Sequence, residues 1–189
     1  MFIHEGLIIR PVEEKDLEAI RMMRNEPSTW TQLTNISHVS PTDQSGWLLS
    51  LMCDQTRAYF VVHDEACDTD RVAHWEGDFI GFIRMDDIDR VNRSARVGAD
   101  VHPGKRGRGY GTRIYKAILK YGFDYLNLHR LWLMVLDTNE RAKLLYVNSG
   151  FRAEGRQREA IFRDGRYVDY IMMSILEDEY RARQTNARA

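Results

Sequence analysis

The chain predicts a mixed α/β (α+β) domain in which a mostly antiparallel sheet of about seven strands is flanked by helices. Three features carry that prediction. Short runs of β-branched and aromatic residues recur between Leu7 and Ser174; stretches with apolar residues at i, i+3 and i+4 lie between several of them; and one strand runs directly into a glycine loop that opens a helix.

In chain order, Leu7-Ile-Ile-Arg-Pro11 is a first strand ended by its proline, and Glu13 to Arg24 a first helix with Leu17, Ile20 and Met23 inward. Ser28 to Pro41 is polar and aperiodic apart from Trp30, Leu33 and Ile36, and a second helix begins near Thr42 and carries Trp47, Leu48 and Leu51. Trp30 and Trp47 read first as core or partly buried aromatics, with the lining of a pocket as the alternative. Arg57 to His63 is the second strand. The polar connection Asp64 to Asp78 is too long for a tight hairpin. Phe79 to Met85 and Ala95 to Val101 give the third and fourth strands, expected to be antiparallel and joined by Asp86 to Arg93. Acidic residues in both connections serve either recognition of a cationic ligand or simple solvation.

From Thr112 the pattern is helical, with Ile114, Ala117, Ile118, Tyr121 and Tyr125 on one stripe. A fifth strand over Leu131 to Leu136, a short helix over 140–149 and two strands around Phe151–Ala160 and Tyr167–Ser174, turned at Gly165, complete a single domain over residues 1–176. The tail 177–189 is polar and at best a frayed helix.

Composition narrows the class. A chain of 189 residues fits one domain and buries its own core without disulfide or metal. The net charge of -1 argues against a general nucleic-acid binder. Cys53 and Cys67 are not spaced as a metal knuckle or redox pair, and the six histidines are scattered, so no metal is expected. No run approaches ~20 apolar residues and the amino terminus lacks a basic leader, so the expectation is a cytoplasmic protein without a membrane partner.

The segment Val97 to Thr112 carries the chemistry. Arg106-Gly107-Arg108-Gly109-Tyr110-Gly111 leaves alternate positions without side chains, so the backbone can approach a ligand closely and adopt positive φ. A strand, a glycine loop and a helix start together make an anion site, because free N–H groups and the positive helix end converge. Neither G-x-G-x-x-G nor G-x-x-x-x-G-K-[ST] is present. Arg106-x-x-Gly109-x-Gly111 instead resembles the [QR]-x-x-G-x-[GA] pyrophosphate loop of the GNAT superfamily of acyl-CoA-dependent N-acetyltransferases. Asn139-Glu-Arg-Ala-Lys-Leu-Leu-Tyr146-Val-Asn-Ser-Gly150-Phe151 resembles that superfamily's N-x-x-A-x-x-L-Y-x-x-x-G-F segment, at the matching distance. Tyr121 to Arg130 and Phe162 to Tyr167 are similar to the branch that holds spermidine, amino-sugar and ribosomal-protein N-terminal acetyltransferases.

This resemblance implies a GNAT fold with a splayed strand pair at the CoA site, acetyl-CoA as cosubstrate, and acetyl transfer to the primary amine of a small molecule, a polyamine or an amino sugar. It also implies cofactor contacts at Arg106, Gly107, Arg108, Gly109, Tyr110, Gly111 and Thr112, a main-chain N–H at Val101 facing the thioester oxygen, and CoA-chain contacts at Asn139 and Lys143. Tyr146 falls on the family tyrosine, and its phenol suits a proton donor to the leaving thiolate. The base is unassigned: Arg96 and Met134 stand where many relatives carry glutamate, which leaves Asp100, His102 or a water relay. Trp30 to Asn35 carries none of the acids that polyamine-sensing relatives have after the first helix. An N-terminal acetyltransferase acting on a ribosomal protein, a non-catalytic acyl-CoA sensor and an RNA binder using Lys105 to Arg108 are the competing readings. A homo-oligomer, dimer or larger, is compatible with the resemblance.

Overall fold

The computed structural model describes residues 1–33, 38–65 and 79–186. Ile36, Cys67 and the Asp64–Asp78 connection beyond Glu65 lie outside the described residues. The strands are β1 (Phe2–His4), β2 (Leu7–Pro11), β3 (Ala58–Asp64), β4 (Phe79–Asp89), β5 (Ser94–Val101), β6 (Arg130–Leu136), β7 (Arg152–Arg163) and β8 (Arg166–Leu176). The helices are α1 (Leu17–Asn25), α2 (Pro27–Trp30), α3 (Pro41–Met52), α4 (Tyr110–Lys120), α5 (Glu140–Ser149) and α6 (Glu177–Asn186). The eight strands follow the order β1-β2-β3-β4-β5-β6-β8-β7. The expected strand count of about seven is therefore one short, because β1 pairs with β2 through a turn at Glu5 and Gly6, with φ of 53° and 69°.

The chain divides into two compact units, Met1–Asp86 with Gly98–Ala117, and Asp87–Val97 with Ile118–Ala189. In the first unit, β2 pairs antiparallel with β3 and β3 with β4. Ile20 and Met23 of α1 pack with Val61, Phe79 and Phe82, and Trp47 and Tyr59 lie against that cluster. Trp47 stacks on Tyr59 at 5.5 Å, so it serves the core, whereas half-buried Trp30 meets His38 at 5.7 Å. Arg10 on β2 holds the buried Asp16 carboxylate through two hydrogen bonds of 2.7 and 2.8 Å, which ties the strand to the turn before α1. A buried charge pair of this kind is costly to split, since the survivor keeps its desolvation cost.

In the second unit, β6 pairs antiparallel with β8 and β8 with β7. The parallel pairing of β5 with β6 sets Ser94–Arg96 against Arg130–Trp132. The chain turns between β7 and β8 at Asp164 and Gly165, with φ of 48° and 79°. Residues 177–186 form a helix rather than a frayed tail: Tyr180 is buried and stacks on Phe123 at 4.9 Å.

The stripe expected on α4 holds for Ile114, Ala117 and Ile118, all buried, but Tyr125 is exposed. A π turn over Tyr121–Tyr125, with Leu126 N–H on the Tyr121 carbonyl at 3.0 Å, inserts an extra residue per turn and rotates Tyr125 off the stripe.

An ionic cluster spans three strands of this unit. Glu154, at the register shift of β7, accepts from both Arg130 terminal nitrogens and from Ser174 Oγ at 2.6 Å, and Arg130 also donates to Ser174 Oγ at 2.9 Å. The Arg130 hydrogen bond chiefly holds the Glu154 carboxyl at about 2, well under its ordinary 4.5. A depressed carboxylate stabilises the fold above its unfolded pKa and loses that contribution as pH falls through the folded value. We therefore predict that the stability gap between wild type and Glu154→Gln is constant above pH 5 and closes as pH drops from 4.5 towards 2. Because Glu154 is partly solvated, the gap is below about 1 kcal/mol. Urea titrations at stepped pH measure it, and a gap unchanged down to pH 2 contradicts it.

Candidate active site

The end of β5 is held by an unusually close backbone approach. A Cβ at Gly81 on β4 would lie 2.2 Å from the Asp100 carbonyl oxygen, so only glycine fits there. Next to it the His102 N–H donates to the Ile80 carbonyl at 2.9 Å. Val101, the residue expected to act through its main chain, is the last residue of β5. Its carbonyl accepts from Arg106 Nε at 3.0 Å. His102 accepts the Gly104 N–H on Nδ1 at 3.2 Å and so shapes the start of the loop.

The glycine loop and α4 follow as expected. Gly107 and Gly109 both take φ of 80°, and nothing lies within 4 Å of where their Cβ atoms would be, so the loop backbone is open to a ligand. Gly111 and Thr112 lie in the first turn of α4. The Arg106 side chain points away from that opening: it donates to Ser28 Oγ at 2.7 Å, to the Ser28 carbonyl at 3.2 Å and to Thr29 Oγ1 at 2.6 Å. Arg106 thus staples the loop to α2 and to the end of β5. Arg108 is exposed and carries no hydrogen bond or ion pair among the described residues, which leaves its guanidinium available to a phosphate. Tyr110 donates from its hydroxyl to Asp64 Oδ2 at 2.6 Å, and that bond raises the phenol pKa. Arg113 packs on the Tyr110 ring at 5.1 Å and donates to the Glu5 carbonyl at 2.7 Å.

Asp100 is not a lone carboxylate. Its Oδ2 lies 3.0 Å from Arg84 Nη2, and both side chains are largely buried. Gly98 makes room for this pair, since a Cβ there would meet Arg84 Nη2 at 3.2 Å. Asp86, further along β4, accepts from the Tyr59 hydroxyl, and burial together with that carboxylate pushes the Tyr59 phenol pKa up. Arg84 is absent from the sequence-derived candidates. Its signal was indirect: glycines at 81 and 98 inside two strands mark backbone or side-chain crowding.

The remaining candidates lie on α5, in the second unit. Asn139 Oδ1 accepts from Ala142 N–H at 3.1 Å and caps the helix. Lys143 bridges Asp137 at 3.0 Å and Glu140 at 2.8 Å, and these carboxylates raise its pKa. Tyr146 is half-buried, with its ring 6.1 Å from that of Phe151. The helix ends at Gly150 with φ of 104°, where a Cβ would meet Ile175 Cδ1 at 2.9 Å. The structure thus groups residues 100–112 in one unit and residues 139–146 in the other. No helix of the described residues is long and apolar enough to cross a membrane, and no group of three or more potential metal ligands occurs among them.

A glycine loop that stands open at its backbone and leads into a helix start is suited to a phosphate group. The family model described as an acetyltransferase (GNAT) domain matches residues 6–152, and the chain belongs to that family. The chain is 30% identical over 174 residues to the spermidine N(1)-acetyltransferase of Escherichia coli K12, covering 92% of this chain and 88% of the relative. A crystal structure of the Vibrio cholerae spermidine N-acetyltransferase with CoA and spermine superposes with a TM-score of 0.84 at 28% identity, covering 93% of this chain and 98% of that one. A dodecameric structure of the same Vibrio enzyme gives 0.77 at 29% identity, covering 94% and 98%. This chain is accordingly an acetyl-CoA-dependent N-acetyltransferase.

Gly81 tests the architecture of the site. Gly81→Ala is expected to displace the end of β5, lowering stability by about 1–3 kcal/mol and raising the Kd for CoA. Thermal melts and CoA titration report it; wild-type values for both would show that the approach is not limiting.

Proposed function

We propose that this enzyme transfers acetyl from acetyl-CoA to the primary amine of a small molecule, a polyamine or an amino sugar, by direct attack of the amine on the thioester. The observation that carries this reading is the open loop at Gly107 and Gly109, beside exposed Arg108 and at the start of α4. Its backbone donors and one free guanidinium suit a pyrophosphate. The two spermidine enzymes that the chain resembles support a polyamine, and the resemblance over Tyr121 to Arg130 supports an amino sugar as the second acceptor class.

In this proposal the Val101 main chain stabilises the thioester oxygen as it gains charge, and Tyr146 gives its proton to the departing CoA thiolate. Asn139 and Lys143 flank the CoA arm while capping and bracing α5. Asp100 is the candidate base; because taking the amine proton costs it the bond to Arg84, the alternative is a water relay to bulk with the amine entering partly deprotonated. No step requires a metal. Self-association also belongs to this reading, supported by β7, a sheet-edge strand whose side chains are exposed along nearly its whole length, and by exposed Phe162 and Tyr167 beside its turn.

Tyr146→Phe is expected to lower kcat by ~100-fold while leaving the Kd for CoA within about threefold. CoA release measured against polyamines, amino sugars and short peptides reads both the acceptor and the mutant. Undiminished kcat removes the acid role from Tyr146, and turnover confined to peptides moves the acceptor to a protein.

A further inference from the structure

Arg106 opens the glycine loop, yet the hydrogen-bond partners of its guanidinium among the described residues lie outside that loop. Nε donates to the Val101 carbonyl at 3.0 Å, Nη1 to Ser28 Oγ at 2.7 Å and to the Ser28 carbonyl at 3.2 Å, and Nη2 to Thr29 Oγ1 at 2.6 Å. The receiving end is itself connected. Both hydroxyls donate to the Glu26 carboxylate, Thr29 Oγ1 at 3.4 Å, so each is polarised between an anion and a cation. Thr29 is buried, and half-buried Trp30 follows it in α2. All of these residues belong to the first unit. α2 therefore stands one guanidinium away from the main chain assigned to the thioester, and the same side chain leads back to the open backbone of the loop.

We infer that Arg106 is a positioning residue that couples the two substrates: a diphosphate held on the loop fixes Arg106, Arg106 fixes α2 as a wall of the acceptor site, and CoA binding thereby strengthens acceptor binding. This rests on the acetyl-transfer reading above and deepens it by giving the order of binding, acetyl-CoA first and the amine second. Two properties of the chain make the link effective. Gly107 follows Arg106 directly with no side chain to restrain it, so the backbone there is soft until an anion takes its N–H groups. α2 has four residues, too few to hold a helix by its own hydrogen bonds, so its order depends on what it is bonded to. A planar guanidinium engaged on both edges transmits the constraint where a single flexible contact would not. The link does not depend on the charge of the amine and serves a polyamine or an amino sugar alike.

Amide hydrogen exchange of the full-length enzyme, with and without CoA, reads the coupling directly. CoA is expected to slow exchange in the loop and also, by ~5-fold or more, at Thr29, Trp30, Thr31, Gln32 and Leu33, whose N–H groups are bonded within α2 and the turn after it. Thr29→Val removes the Arg106 acceptor at nearly unchanged volume and is expected to keep the protection of the loop while losing that of residues 29–33. Ser28→Ala, at an exposed position, loses part of it and keeps the test intact if the buried variant folds poorly. In turnover with whichever of spermidine and glucosamine is acetylated, Thr29→Val is expected to raise the acceptor KM by ~10-fold while kcat and the Kd for acetyl-CoA stay within about threefold. A damaged fold would instead lower the melting temperature and weaken CoA as well. Protection confined to the loop in wild type, or protection of residues 29–33 that survives both variants, overturns the coupling while acetyl transfer stands. If CoA binds but no polyamine, amino sugar or peptide is acetylated, the acetyl-transfer reading fails and the substrate coupling falls with it, even where the exchange pattern holds.

Discussion

The contact between the backbones of β4 and β5 at Gly81 and Asp100 governs the geometry of the first unit. A β-carbon would stand 2.2 Å from a carbonyl oxygen, a distance no relaxation of a side chain can relieve, so the constraint is on the main chain itself. Several features are fixed by it. The end of β5 determines where Val101 lies, where the loop begins and in which direction α4 starts. Gly98, four residues on from Ser94 in the same strand, admits the Arg84 side chain that pairs with Asp100. Two glycines in adjoining strands thus set the backbone path and the charge beside it.

The loop divides its work between backbone and side chains. Arg106 is spent on Ser28, Thr29 and Val101, so its cationic character serves packing. The backbone at Gly107 and Gly109 stands open, and Arg108 is exposed between them. Backbone donors cannot change protonation state and carry little reorganisation cost, which suits them to a diphosphate that must be held in one orientation. Tyr110 and Arg113 then anchor the first turn of α4 to Asp64 and Glu5.

Much of this was legible in the chain. Glycine spacing at 107, 109 and 111, the Asn139 cap and the turn at Gly165 are local chemistry, and local chemistry is what a sequence displays directly. β1 escaped because three residues before a Glu5–Gly6 turn show no alternation, and α2 because four residues cannot show a helical period. α6 escaped for a different reason: its apolar anchor is the single buried Tyr180, and one residue makes no stripe. The pair of Arg84 and Asp100 joins two neighbouring strands, and pairing across strands leaves no periodic trace in the chain. The interior glycines were its only mark.

α5 shows why the motif that holds Tyr146 reads as a unit. The helix has ten residues and none is buried, so neither intrinsic propensity nor packing of an apolar face is enough to keep it formed. Its stability comes from its ends and braces. Asn139 satisfies the N-terminal donor at Ala142, Lys143 ties the first turns to Asp137, and the Phe151 and Gly150 N–H groups return to the Tyr146 carbonyl at the C-terminus. Gly150 must be glycine twice over, for its left-handed φ and for its distance to Ile175. Both ends of the helix thus fix where Tyr146 stands, with Phe151 packed 6.1 Å from its ring. The spacing from Asn139 to Gly150 is that of a helix with its cap at each end.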